Sequence, residues 1–377
     1  MSAPVLFLVD KFKGSLTQSQ INGVLGRFFQ ERGIQFTAFE IADGGEGTVT
    51  ALIHSGWQRI EISVRGPLDN EHPALVAFNQ RDGIIALELA ELCGIRWLNG
   101  LLEPERSSTR AIGEALLQIA SLPWQEIWIG LGGSASSDGG LGILQALGIR
   151  ALDKNGREIL ESGLGALRRT ARLDTDPRER IAKLLHGRKV KIITDVASPL
   201  LGRFGAINTF GPQKGLSTMK RISGERAMAK WARLVGEDFG KLAGAGSAGG
   251  TGFLFLSLFN AEYRAGVQHF LDDPKISQEI KPGSLIVAGE GRIDRSSLAG
   301  KSVLPILRLA AEKGAKVLLI CGSADPKVRA ELASSYPIVE TLALADIGLD
   351  TRLLMERAEQ LLYDRLVNSF RREWIQL

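Results

Sequence analysis

Residues 126–142, Glu-Ile-Trp-Ile-Gly-Leu-Gly-Gly-Ser-Ala-Ser-Ser-Asp-Gly-Gly-Leu-Gly, constrain the fold more than any other stretch of the chain. An apolar run of strand length (Ile127, Trp128, Ile129, Leu131) breaks into glycines and small hydroxyl residues, meets Asp138 and passes into an amphipathic segment over 141–149. That order reads as strand, tight loop and helix start. Glycine admits positive φ and lets a ligand approach the main chain, and the N–H groups at a helix start favour an anion. Two readings follow: a phosphate or carboxylate cradle, or a plain strand-to-helix turn with Ser136, Ser137 or Asp138 as N-cap. Recurrence of the pattern along the chain favours the cradle.

The flanking sequence shows what surrounds such loops. Val5–Val9 is a continuous β-rich run, residues 17–32 carry helix-spaced apolar side chains up to Gly33, residues 36–41 form a second strand closing at Ala42-Asp-Gly-Gly-Glu-Gly47, and Thr48–His54 reads as a helix. This alternation is the signature of a parallel sheet covered by helices. From Arg59 the texture changes. Strands over 59–64, 74–78 and 84–89 follow one another too closely for crossover helices and should pair antiparallel. A helix over 109–121 leads into the glycine loop, 153–177 is charged and irregular, 179–185 is a short helix, Lys189–Ile193 is a strand ending at Thr194-Asp195, and 219–235 is helical. Regular alternation then returns: a strand over 285–287, a glycine loop over 289–291, the helix Val303–Lys313, a strand over 316–320, a helix near 327–333, a strand near 339–344 and a long helix over 351–370. The expected fold is α/β: a Rossmann-like parallel-sheet domain from residues 1–64 and 283–377, with a second, mixed α/β domain, 65–282, inserted.

Composition excludes several function classes. A chain of 377 residues with 44% hydrophobic residues has two domains as its prior. The net charge of +4 is spread out rather than clustered, so no nucleic-acid partner is expected. Cys93 and Cys321 lie in no CxxC pair, and the four histidines (His54, His72, His186, His269) lack metal-ligand spacing. No apolar run approaches the roughly 18 residues of a membrane span, and the N-terminus lacks the order of a secretion signal, so a soluble, cytoplasmic chain without a membrane partner is expected. A GxSxG elbow is absent, and Gly300-Lys301-Ser302 lacks the first glycine of a P-loop, that position being Arg295. Gly244-Ala-Gly246-Ser-Ala-Gly249 spells GxGxxG but follows a helical segment, which argues against a nicotinamide dehydrogenase.

What remains is a set of acids and lysines in one local setting. Asp10, Asp43, Asp195 and Glu290 each close an expected strand beside glycine, and Asp138 and Asp294 lie a few residues into the next loop. The carboxyl ends of parallel strands line the ligand crevice, so such side chains can converge from distant positions. Carboxylates there can hold Mg²⁺ or accept a proton from a substrate hydroxyl. Lys11 and Lys13 before Gly14, Lys214 in Phe-Gly-Pro-Gln-Lys-Gly and Lys301 in Ala-Gly-Lys-Ser offer point charges suited to a polyphosphate. Glycine loops, lysines and carboxylates without a nucleophile-base pair fit phosphoryl transfer, where positioning and charge neutralisation dominate.

Seven ordered motifs carry a resemblance: Asp10-Lys-Phe-Lys-Gly-Ser-Leu16, Ala42-Asp-Gly-Gly-Glu-Gly-Thr48, Gly130-Leu-Gly-Gly-Ser-Ala135 with Asp138-Gly-Gly140, Thr194-Asp-Val196 with Pro199-Leu200, Phe210-Gly-Pro-Gln-Lys-Gly215, residues 246–252, and Gly289-Glu-Gly-Arg-Ile-Asp294 with Gly300-Lys301. Together they resemble the glycerate kinase family of the bacterial type. The resemblance implies ATP-dependent, Mg²⁺-assisted phosphorylation of D-glycerate, with 2-phosphoglycerate as product in the closest bacterial relatives, and a two-domain α/β architecture. A kinase for another small hydroxy acid, or a ligand-binding regulatory protein that kept the cleft without catalysis, are the alternatives; a homo-oligomer is compatible with each. The chain departs from the family pattern at Ser198-Pro199-Leu200, where relatives have Asn-Pro-Leu, at Ser136-Ser137 for Thr-Asn, and at Ser296-Ser297 for Gln-Thr. The expected roles are as follows. Asp195 is base or metal ligand, with Asp294 and Asp43 as further catalytic candidates, and Glu290 joins Asp195 and Asp294 as a metal candidate. Lys13 and Lys214 neutralise phosphate or substrate carboxylate. Gly132, Gly133 and Ser134, then Gly246, Gly249 and Gly250, present main-chain N–H groups to ATP phosphates, with Lys301 beside them.

Overall fold

The computed structural model describes residues 4–299 and 303–375. In chain order the strands are β1 (Val5–Val9), β2 (Phe36–Ala38), β3 (Gln58–Arg65), β4 (Glu71–Asn79), β5 (Ile84–Glu88), β6 (Glu126–Gly130), β7 (Ala151–Leu152), β8 (Arg172–Leu173), β9 (Lys189–Ile193), β10 (Glu262–Arg264), β11 (Leu285–Ile293), β12 (Lys316–Ala324) and β13 (Ile338–Ala343). The chain divides into two compact units, Met1–Asp43 with Gly266–Leu377, and Gly44–Ala265. These boundaries fall earlier than the 64/65 and 282/283 expected from the change in texture. Thr48–His54 packs on β4 and β5, β3 pairs with β4 along its whole length, and Gly266–Leu271 packs on Val303–Lys313, so each segment belongs with partners that composition does not reveal.

The first unit is a five-stranded, wholly parallel sheet in the order β13-β12-β11-β1-β2. All five side chains of β1 (Val-Leu-Phe-Leu-Val) are completely buried, the pattern of a strand covered on both faces. The strand order reverses direction between β1 and β11, and at such a switch point the carboxyl ends of the two strands leave a crevice. Thr17 opens helix Gln18–Gln30 with a capping box to Gln20, and the apolar stripe Ile21, Val24, Leu25, Phe28 and Phe29 meets the sheet. Helices Pro274–Glu279 and Pro326–Ser335 both start on an Asp-Pro pair, the aspartate accepting from the first free N–H groups and the proline needing no partner.

Three expectations change in this unit. Strand β2 stops at Ala38 rather than 41. Strand β11 runs through its glycines to Ile293, so Glu290 lies inside a strand and pairs in register with Cys321 instead of closing one. The glycines are there for close backbone approach: a Cβ on Gly289 would lie 2.3 Å from the Ile320 carbonyl oxygen. The terminal helix is two helices, Thr351–Glu356 and Ala358–Ser369, separated at Arg357, whose φ of −112° and ψ of 16° leave the helical region.

The second unit is a six-stranded mixed sheet, β10-β9-β6-β5-β4-β3. Strands β3, β4 and β5 are antiparallel, as their close spacing requires, and β5, β6, β9 and β10 are parallel. One continuous aliphatic core, from Ile62 to Phe259, fills both faces. Residues 153–177 contain more structure than expected: helix Gly163–Arg169 and the short pair β7 and β8, held by a fork of hydrogen bonds from Arg168 to Glu105. Among the described residues no helix is long and apolar enough to cross a membrane.

Candidate active site

In the second unit the ends of three parallel strands lie side by side: Glu88 of β5 opposite Gly130 of β6, and Gly130 opposite Ile193 of β9. Beyond these ends, main chain stacks on main chain. A Cβ on Gly44 would lie 2.2 Å from the Ile193 carbonyl oxygen, one on Gly130 2.6 Å from the Gly44 oxygen, and one on Gly132 2.5 Å from Gly45 Cα. The second glycine run interlocks in the same way, with Gly246 against the Pro199 carbonyl (2.2 Å), Gly249 against that of Ser136 (2.3 Å) and Gly250 against Gly139 Cα (3.1 Å). Packing therefore accounts for these glycines before any ligand is considered. The N–H groups of Gly132 and Gly246 are engaged as well, donating to the carbonyls of Gly44 (3.0 Å) and Ser198 (2.8 Å).

The N-cap of helix Leu141–Ala146 is Gly140 and not Ser136, Ser137 or Asp138; Asp138 instead ties the loop to the start of the preceding helix. Its carboxylate is fully buried and accepts from Thr109 N and Oγ1, Gly140 N and Gly142 N. Burial raises its pKa, and those four donors hold it back. Lys214 is 3% exposed and donates to Ser134 Oγ (2.6 Å) and the Ser136 carbonyl, which ties turn Pro212–Lys214 to the first glycine loop. Burial lowers its pKa to about 8, against the opposing pull of Asp138 and Cys93. The hydroxyls of Ser136 and Ser137 are fully buried and make no hydrogen bond to the described residues.

Asp195 follows β9 and is half-buried, placed by a hydrogen bond from Thr194 N to the Arg264 carbonyl. Its charge, after burial, raises the pKa of Tyr263 on the neighbouring strand β10. Tyr263 and Glu88 were not singled out in the sequence. Tyr263 lies in a three-residue strand without an apolar pattern; Glu88 reads as an ordinary residue of the Glu-Leu-Ala-Glu helix start that follows β5.

In the first unit the crevice between β1 and β11 holds the other candidates. Asp10 follows β1 and donates its N–H to the Gly289 carbonyl. Lys11 Nζ reaches Asp10 Oδ1 (3.4 Å) and Asp43 Oδ1 (3.2 Å), a bridge that the sequence reading did not assign to it. Burial opposes the charge on Lys11, but Asp43 and Asp10 outweigh it and raise its pKa. Lys13 is exposed, its N–H 3.1 Å from where a Cβ on Gly291 would lie. Glu290, 9% exposed, accepts from Ser297 Oγ. Asp294 accepts from Ser296 N (2.8 Å) and Ser296 Oγ (2.6 Å) and faces Arg292 Nε at 3.4 Å. Lys301 lies outside the described residues. Thus Asp10, Lys11 and Asp43 form one group, Glu290 and Asp294 share a serine turn, and Asp195 belongs to the second unit. Among the described residues no three His, Cys, Asp or Glu side chains gather as a metal cluster.

A family model described as "Glycerate kinase family" matches residues 5–372. The chain belongs to the glycerate kinase family. The glycerate kinase of Neisseria meningitidis serogroup B is 33% identical over 325 residues, 85% of each chain, and the glycerate 2-kinase of Escherichia coli K12 is 31% identical over 331 residues, again 85% of each. The crystal structure of a candidate glycerate kinase 2 from Salmonella typhimurium LT2 superposes with a TM-score of 0.76 at 25% identity, over 98% of this chain and 99% of that one. In this member of the glycerate kinase family the hydroxyls of Ser296 and Ser297 hold the carboxylates of Asp294 and Glu290.

Proposed function

We propose that the chain transfers the γ-phosphoryl group of ATP to the C2 hydroxyl of D-glycerate, giving 2-phosphoglycerate and ADP. The observation that carries this reading is that, in each unit taken by itself, charged side chains lie beyond the end of a parallel strand: Asp10 and Lys11 after β1, with Lys11 bridging to Asp43, in one, and Asp195 after β9 in the other. Family membership gives the reaction class, a phosphotransferase acting on an alcohol.

Asp195 takes the proton from the C2 hydroxyl as the oxygen attacks phosphorus, a role open to a half-buried carboxylate at a strand end. Asp43, held by Lys11, and Asp294 orient the substrate, and Lys13 neutralises its carboxylate or a phosphate. Gly133, Ser134, Gly249 and Gly250, with Lys214 behind them, face the phosphates. The unpaired hydroxyls of Ser136 and Ser137 are buried donors of the kind that a phosphate oxygen satisfies. Mg²⁺ fits the hard oxygen donors: Asp195 in one unit, or Glu290 with Asp294 in the other, offers the one or two carboxylates such an ion takes beside phosphate oxygens. Bound there, it would neutralise charge on the β- and γ-phosphates.

The test is the ³¹P spectrum of the product from D-glycerate and Mg-ATP. A phosphate on C2 couples to a single carbon-bound proton and gives a doublet. A triplet would move the transfer to C3, and ATP left intact would end the reading of D-glycerate as the substrate.

A further inference from the structure

Glu88 ends β5 with its side chain only 2% exposed, and its two carboxylate oxygens accept from two main-chain N–H groups of the glycine loop and the helix it opens: Oε1 from Gly47 (2.9 Å) and Oε2 from Val49 (3.0 Å). Gly47 is the N-cap of Thr48–His54, has a φ of +93° and has no side chain to cap with, so the capping oxygens come from a strand 41 residues on. The other end of the loop is fixed by the stacking of Gly44 on Ile193 and by the hydrogen bond from Gly132 N to the Gly44 carbonyl. Arg96 adds a second tie, pairing with Glu91 and, at 3.9 Å, with Glu46 of the same loop.

We propose that Glu88 is a positioning residue for phosphoryl transfer: ionised, it holds residues 44–49 in their working conformation, and protonated, it releases one of the two N–H groups and activity falls. The proposal rests on the reading that the Asp43-Gly-Gly-Glu-Gly47 run serves the transfer. A neutral carboxyl group keeps only one good acceptor oxygen, so it cannot satisfy both donors. Burial raises the pKa of Glu88 to about 7. The Val49 and Gly47 N–H groups and Arg96 pull it down, and Glu91 pushes it up. Among the described residues, Glu91 from helix Leu89–Cys93 and Arg96 from turn Ile95–Leu98 are the charged side chains that act on it most; Gly130, its neighbour on β6, has no side chain.

Two measurements on the full chain test this. In ¹⁵N-labelled protein without substrate, the amide resonances of Gly47 and Val49 should titrate together with a midpoint near pH 7 in the wild type and stay put in Glu88→Gln. In steady-state kinetics, wild-type kcat should fall through that midpoint and level off roughly tenfold lower, at the rate of Glu88→Gln. Glu88→Gln, with one acceptor oxygen, should be slower at pH 8 by roughly tenfold and flat between pH 6 and 8. Amides that do not titrate in the wild type, or an acidic limb that survives in Glu88→Gln, would overturn the proposal. The resonances are read without turnover, so a chain inactive on D-glycerate would sink the D-glycerate reading and leave this arm intact. If Glu88→Gln does not fold, the wild-type titration alone decides.

Discussion

Asp195 is half-buried at the end of β9, and replacing its carboxylate by an amide removes the proton acceptor while keeping the shape. Asp195→Asn should lower kcat by on the order of 100-fold with an unchanged urea midpoint; near-normal turnover would remove Asp195 from the mechanism. Lys214 makes a different prediction because its pKa is lowered to about 8 from 10.5. A lysine that binds its proton less tightly when folded makes the unfolded state the better proton acceptor between those values, so its contribution to stability rises with pH there. Relative to Lys214→Met, the wild type should gain on the order of 2–3 kcal/mol between pH 7.5 and 10.5, read from urea unfolding at each pH. A constant gap would show that Lys214 titrates normally in the fold. Asp195 follows the apolar run of β9 as its local pattern indicates, whereas Asp43, expected to close a strand, lies five residues beyond the end of β2 at Ala38. Glu88 and Lys11 could not be read in this way. Their roles depend on partners 41 and 32 residues away, which no local pattern encodes.

At the scale of elements, the glycine loops are where steric demand can be separated from conformational demand. Gly44 and Gly47 both have positive φ, +77° and +93°, but a methyl at Gly44 would meet the Ile193 carbonyl at 2.2 Å and one at Gly47 would meet nothing within 4 Å. Gly47→Ala should cost about 1–2 kcal/mol, the penalty of a left-handed alanine. Gly44→Ala should cost roughly 3 kcal/mol or more, since rigid backbone on both sides must move. Equal losses in urea midpoint would mean that the stacking is not tight. Elements with one strong period were legible: β1, Thr48–His54 and β9 fall where the apolar pattern puts them. Strand β11 was cut short because Gly289 and Gly291 look like a loop when only the chain itself is seen, whereas in the fold Gly289 lets β12 approach and Gly291 the segment at Phe12 and Lys13. The meaning of the glycine runs was half legible: the turns were expected, their packing against one another was not.

On the scale of the whole molecule, the two units differ in how they are strung. Gly44–Ala265 is one continuous segment with its own core, and the other unit is assembled from two segments. Residues 44–265 expressed alone should therefore unfold cooperatively in urea with an intact far-UV spectrum; a fragment with no transition would show that the segment needs the rest of the chain. The alternation of helix and strand at both ends is what suggested an insertion in the sequence, and packing sets the unit limits at 43/44 and 265/266. The arrangement bears on synthesis. Strand β1 is an uncharged, fully buried run whose inner neighbour β11 begins only at Leu285. At common ribosomal speeds that partner emerges on the order of 10–60 s later. For that interval one edge of a nascent, sticky strand is left without its partner, which makes Val5–Val9 the place where a holdase chaperone would be needed and where slowed translation would lower the yield of active protein.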